Sequence, residues 1–120
     1  MFITLEGMEG CGKSTQCALL VEHFTRLGFD VLRTLEPGGS VLGKELRRIL
    51  LDPANSDLSP VSELFLYLAD RAQHVGTVIR PALAQDRVVI CDRFFRFFVF
   101  LAKKKSDTKI NINQDRKKDR

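Results

Sequence analysis

The sequence predicts an α/β fold in three layers, with a parallel sheet lying between helices. Three observations carry that expectation. The chain opens as a strand, a glycine-rich loop and a helix; strand-like and helix-period segments then alternate; and VVIC at 88–91 is a continuous apolar run of the kind that suits a buried central strand. At 120 residues there is room for one domain with a real core and too little for two.

Residues 2–5 form the first strand, and the helix that follows over 13–27 has Cys17, Leu20, Val21, Phe24 and Leu27 at helical spacing. Gly28 stops this helix, and FDVLRTL at 29–35 has the alternation and β-branching of a second strand before EPGG breaks it. A second helix over 41–51 is expected to set Val41, Leu42, Leu46, Ile49 and Leu50 on one stripe, and the turn-formers of DPANSDLSP end it. Ser59 or Ser62 is placed to cap a third helix with Pro60 at its start, running through ELFLYLADRAQHV to a break near Gly76. Pro81 opens a short helix that leads into the strand RVVICD. Parallel strands joined by helices imply right-handed crossovers.

The net charge of +4 is unevenly spread: residues 103–120 hold eight Lys/Arg against three Asp, so the body is close to neutral. Three cysteines without CxxC spacing suggest neither a disulfide framework nor a zinc site, and a reducing cytoplasm fits best. MFITLE meets an acid before any secretory run develops. The apolar cluster from Phe94 to Ala102 contains Arg96 and falls well short of the ~20 residues of a membrane span. No membrane association is expected.

The strongest chemical signal is GMEGCGKST, from Gly7 to Thr15, which fits G-x-x-x-x-G-K-[ST] between a strand and a helix. Backbone N–H groups of Gly7, Met8, Glu9, Gly10, Cys11, Gly12, Lys13, Ser14 and Thr15 can cradle phosphate oxygens. The helix N-terminus adds positive charge, Lys13 can reach the outer phosphates, and the Ser14 hydroxyl can ligate Mg2+. The fold class therefore narrows to a P-loop NTPase type whose loop is a nucleotide phosphate site. Asp92 ends VVIC where ligands of open α/β sheets gather. Such an acid holds magnesium in P-loop enzymes, the other reading being a loop cap; the phosphate loop shifts the balance to magnesium.

FITLEGMEGCGKSTQ at 2–16, TLEPGGS at 34–40, GKELRRILLD at 43–52, LFLYLADRAQHV at 64–75 and VVICDRF at 88–94 together resemble the N-terminal half of a thymidylate kinase. The resemblance implies a nucleoside-monophosphate-kinase-like sheet, cut after its third strand, and transfer of a phosphoryl group from ATP to dTMP. It also implies residue roles. Glu9 matches an acid near the acceptor's sugar hydroxyl; read without the resemblance it is an exposed loop charge. Tyr67 matches an aromatic that stacks on thymine, and Arg71 an arginine that bonds the base edge; four residues apart, they share a helix face. Read alone, Tyr67 is core and Arg71 a solvated charge. Arg93 matches the arginine on the acceptor phosphate, where a planar fork fits well, and Glu36 and Pro37 match a loop bordering the acceptor site. Glu36–Pro37 is a candidate cis peptide. Asp70 and Gln73 receive no role. Gly10 occupies the loop position that carries an arginine in some members, so the resemblance assigns the further arginine to a later lid.

Past Phe94 the family's polar run, lid and last strands are replaced by FRFFVFLAKKK and a polar end, with five of nine phenylalanines in 94–100. Residues 1–94 are thus expected to be a partial kinase core, and 95–120 a non-family tail, disordered or frameshifted. An arginine finger is worth roughly 10³–10⁵ in rate, so this chain is expected to be inactive or weak. The family implies a homodimer, an expectation the missing half weakens. An exposed edge on the phosphate-loop strand predicts low solubility or dependence on a partner. The readings are a dTMP kinase cut after Phe94, a natural short protein that binds nucleotide without catalysis, and a nucleic-acid-binding extension. The phenylalanines lack an RNA-binding sheet framework, which disfavours the last.

Overall fold

The computed structural model describes residues 1–7 and 10–93; the expectations for Met8, Glu9 and everything from Phe94 onward lie outside the described residues. Three strands, β1 (Phe2–Leu5), β2 (Val31–Leu35) and β3 (Val88–Asp92), form a parallel sheet in the order β1-β3-β2. The last strand among the described residues is the central one. Phe2 faces Val89 and Leu5 faces Asp92 on one side, while Val31 faces Val88 and Leu35 faces Asp92 on the other. All three strands therefore end together at Asp92.

The sheet carries helices on both faces, as the alternation predicts. On one face α1 (Lys13–Arg26) brings Cys17, Leu20, Val21 and Phe24 against Val88, Ile90, Ile3 and Leu5. On the other, Val89 and Leu32 meet Ile79, Ala82, Val75 and Leu83. Alternate β3 residues thus feed two opposed cores, and the strand is apolar throughout because it has no solvent face. Val88, Val89, Ile90 and Cys91 are all buried. Each Val or Ile so enclosed contributes about 1.5–3 kcal/mol of transfer free energy.

Between β2 and β3 run α2 (Val41–Leu51), a short 3-10 turn at Pro53–Asn55, α3 (Pro60–His74), a π-helical turn at Val75–Ile79 and α4 (Arg80–Ala84). Ser40 caps α2 by accepting from Gly43 N–H at 2.9 Å. Of the two serines weighed for α3, Ser59 is the cap, with Pro60 in the first turn. The break expected near Gly76 is instead the π turn, which carries α3 onward into α4. Its extra residue resets the helical phase. Asp70 and His74 are buried on α3, and beyond the turn it is Ile79 and Ala82 that reach Val89. The stripe expected on α2 is only partly inward: Leu46 is buried, but Val41 and Leu42 are exposed. At that end of the helix it is Gly43 that lies against α3, where a Cβ would run into Asp70 Oδ1. No helix among the described residues is long and apolar enough to cross a membrane.

Candidate functional site

The phosphate loop begins where β1 stops and ends where α1 starts. Gly12 lies in the left-handed region at φ 84°, so the chain turns sharply into the helix at a residue without a Cβ to clash. No side chain caps this helix start and its first turn has no acid, an arrangement suited to an anion on the amide groups. Gly10, Cys11, Gly12, Ser14 and Thr15 are exposed, as is Gly7, while Lys13 is buried. Lys13 folds back on the loop: its Nζ donates to the Gly7 carbonyl at 2.8 Å and lies 3.8 Å from Cys11 Sγ.

Facing this loop is the shared end of the three strands. Glu36 N–H donates to the Asp92 carbonyl at 3.1 Å, and Arg93 N–H to the Leu5 carbonyl at 3.0 Å, so Asp92 and Arg93 join all three strands just beyond the sheet. Arg93 adopts φ 67°, a sparsely populated backbone for a bulky residue and one that gathers at functional sites. Asp92 Oδ1 is buried with no hydrogen-bond partner among the described residues, the Arg93 Nε standing 3.9 Å away. Asp92 is also close enough to Cys17 to push that thiol's pKa up. Burial is the larger cause, and Lys13 and Arg33 pull the other way. The acid, both cations and the start of α1 therefore lie together. Arg33 adds a further tie, donating through Nη2 to the Ser14 carbonyl at 3.3 Å.

The third part is the loop from Glu36 to Ser40, held against α3. Glu36–Pro37 is cis. Glu36 is buried, and its Oε2 accepts from Arg71 Nε at 2.8 Å and Nη2 at 2.6 Å. Its Oε1 lies 2.9 Å from His74 Nδ1, and His74 Nε2 lies 2.7 Å from Thr34 Oγ1. Asp70 Oδ1 accepts from Gly38 N–H at 3.0 Å, and Arg47 Nη1 donates to the Pro37 carbonyl at 2.8 Å. Gly39 is required by closeness: a Cβ there would run into the His74 ring and the Leu35 carbonyl. Burial pushes the Asp70 carboxyl pKa up, with the nearby Glu36 charge adding to it and the Gly38 N–H opposing. The Cys91 thiol is likewise raised, mainly by burial.

Of the residues singled out in the sequence, Gly7, Gly10, Cys11, Gly12, Lys13, Ser14 and Thr15 lie on the loop and first turn beside Asp92 and Arg93. Tyr67 is partly buried on α3, one turn before Arg71, and Arg71 is joined to Glu36. Sequence reasoning missed Thr34, Asp70 and His74. A signal was available: Tyr67, Asp70, Arg71 and His74 recur at i, i+3, i+4 and i+7, a polar stripe on a helix whose other face carries exposed Val61, Phe65 and Leu68. The polar side is the packed one.

The family model described as thymidylate kinase matches residues 5–116. The chain is 57% identical over 94 residues to the thymidylate kinase of Desulfosudis oleivorans, and 61% identical over 94 residues to that of Nitratidesulfovibrio vulgaris. Both alignments take in 78% of this chain and 44% of the relative. The crystal structure of thymidylate kinase from Ehrlichia chaffeensis superposes with a TM-score of 0.71 at 41% identity, over 78% of this chain and 53% of that one. The chain spans less than half the length of these curated relatives.

Proposed function

Because this chain belongs to the thymidylate kinase family, we propose that its described residues form the nucleotide-holding part of an enzyme that phosphorylates dTMP with ATP. The observation that carries this reading is the phosphate loop opening α1 beside Asp92, at the common end of three parallel strands. In the reaction an oxygen of the dTMP phosphate attacks the γ-phosphorus of ATP, the bond from that phosphorus to the β–γ bridging oxygen breaks, and ADP leaves with the electron pair. The protein's part is alignment and charge neutralisation. The loop amides from Gly7 to Thr15 hold the ATP phosphates, and Lys13 exchanges its Gly7 carbonyl for phosphate oxygens. Arg93 holds the acceptor phosphate, Tyr67 stacks on the thymine and Arg71 donates to the base edge. Pro37 borders that pocket, and Glu9 accepts from the sugar hydroxyl.

Magnesium fits the donor set. A buried carboxylate oxygen without a hydrogen-bond partner among the described residues, Asp92 Oδ1, and an exposed hydroxyl in the first turn, Ser14, are the few protein ligands this ion takes when phosphates and water supply the rest. Asp92 and Ser14 would hold the ion, which would supply neutralisation of the phosphoryl charge.

A second reading is favoured by the 44% coverage of the relatives: residues 1–94 bind nucleotide, and turnover needs parts that this chain does not share with them. Titration separates the readings. Mg·ATP binding should be lost in Lys13→Ala, and equal binding by wild type and variant would remove the phosphate-loop assignment. In a coupled assay with dTMP, ADP release above background supports transfer by this chain. ATP binding without release supports the second reading.

A further inference from the structure

Behind Arg71 stands a buried relay that phosphoryl transfer itself does not require. Glu36, His74 and Thr34 are 5%, 0% and 6% exposed, and each is hydrogen-bonded to the next. Taking a carboxylate, an imidazole and a hydroxyl out of water is unfavourable unless all are paired, and apolar side chains of the same shape could hold α3 to β2 as firmly. The relay's geometry is directional: it runs from Thr34 on β2, through His74, to both oxygens of Glu36, and ends on two nitrogens of one guanidinium. The neighbouring Gly39 has no Cβ to displace the imidazole, and Asp70 holds Gly38 from the same helix. The loop and the ring are thus located independently of Arg71.

Resting on the assignment of Arg71 to the acceptor base, we infer that Glu36 and His74 are specificity-determining positioning residues. Glu36 fixes the plane of the Arg71 guanidinium and offsets its charge, so that the arginine offers aimed N–H donors to a neutral ring carbonyl instead of acting as a diffuse anion site. His74, braced by Thr34, holds the carboxylate in that orientation. The recognised chemistry is a pyrimidine with a carbonyl acceptor on its exposed edge. A ring with an amino group there would set donor against donor, and a site built to hydrogen-bond one group rejects the analogue lacking it.

The test is the ratio of dTMP to dCMP affinity, measured by titration of the whole chain with Mg·ATP affinity as the control for an intact fold. Wild type is expected to prefer dTMP. Glu36→Gln and His74→Leu should each cut the preference on the order of tenfold, the size expected when one aimed hydrogen bond loses its geometry, with ATP affinity unchanged. His74→Asn keeps a donor at the Nδ1 position and should restore most of the ratio. A merely structural role would weaken both nucleotides alike and leave the ratio where it was. Should Glu36→Gln fail to fold, Thr34→Val removes only the far brace and should lower the ratio by roughly two- to threefold. An unchanged ratio in these variants, with Arg71→Ala abolishing the preference, overturns the positioning role and leaves the proposed function standing. No dTMP binding by wild type, or a ratio insensitive to Arg71→Ala, overturns base reading by Arg71 and this inference with it.

Discussion

Asp70 is a carboxyl 1% exposed, accepting from the Gly38 N–H, with the Glu36 carboxylate near enough to raise its pKa further. A carboxyl whose folded pKa lies above its unfolded value of 3.8 binds its proton more tightly in the native state. Its contribution to stability is therefore full below pH 3.8 and is lost as pH rises through the folded pKa. Asp70→Asn keeps an oxygen for Gly38 N–H and removes the buried charge. Denaturant midpoints at pH 7 should be equal to or above those of wild type, with the advantage gone below about pH 3.8; a midpoint lower at pH 7 than at pH 3.5, relative to wild type, would contradict this. The sequence singled out Lys13 at once, while the polar stripe that holds Asp70 was passed over. Lys13 stands in a motif of fixed local spacing, so the sequence alone singles it out. Asp70 and His74 take their meaning from a loop more than thirty residues away, and a polar helix stripe usually faces water. The pairing of Glu36 with Arg71 was hidden for the same reason: each was read as facing ligand, and their contact is non-local.

At the scale of elements, the three strands and four α-helices of the described residues were legible from pattern and breakers, and the boundaries agree within about two residues because caps and breakers mark them: Ser40, Ser59, Pro60 and Gly28. The π turn was not. A one-residue phase change between two helices leaves only a weak trace in composition, since what demands it is the need to bury His74 on one side and Ile79 on the next. Gly76 sits in this turn with open space where a Cβ would be, and without a left-handed backbone. Gly76→Ala should raise unfolding free energy by about 0.5–1 kcal/mol, through restricted freedom of the unfolded chain. Thermal melts check this, and a loss of stability would mean that the turn must flex to form.

At the scale of the whole molecule, the two opposed cores on the three strands of the described residues leave much apolar surface outside. Val61, Phe65 and Leu68 on α3, with Val41, Leu42 and Leu51 on α2, are all exposed, and Phe2 lies at the β1 edge. Such patches drive association. Phe65, 64% exposed, can be changed without opening the core. Phe65→Lys should raise the saturating concentration severalfold while shifting stability by no more than about 0.5 kcal/mol. A drop in the melting temperature with no gain in solubility would show that the side chain is packed.

The placing of β3 between its neighbours has a consequence for how the chain is made. β1 and β2 do not touch each other in the sheet; each pairs only with β3 among the described residues, and Phe2 must meet Val89. A nascent chain therefore leaves the ribosome with its phosphate loop synthesised but its first strand unpaired. That strand stays exposed until β3 emerges, and contacts so distant in sequence form slowly. Synthesis halted before residue 88 would yield helices and two orphan strands with no sheet, and a chaperone that shields strand edges would find its substrate in this interval.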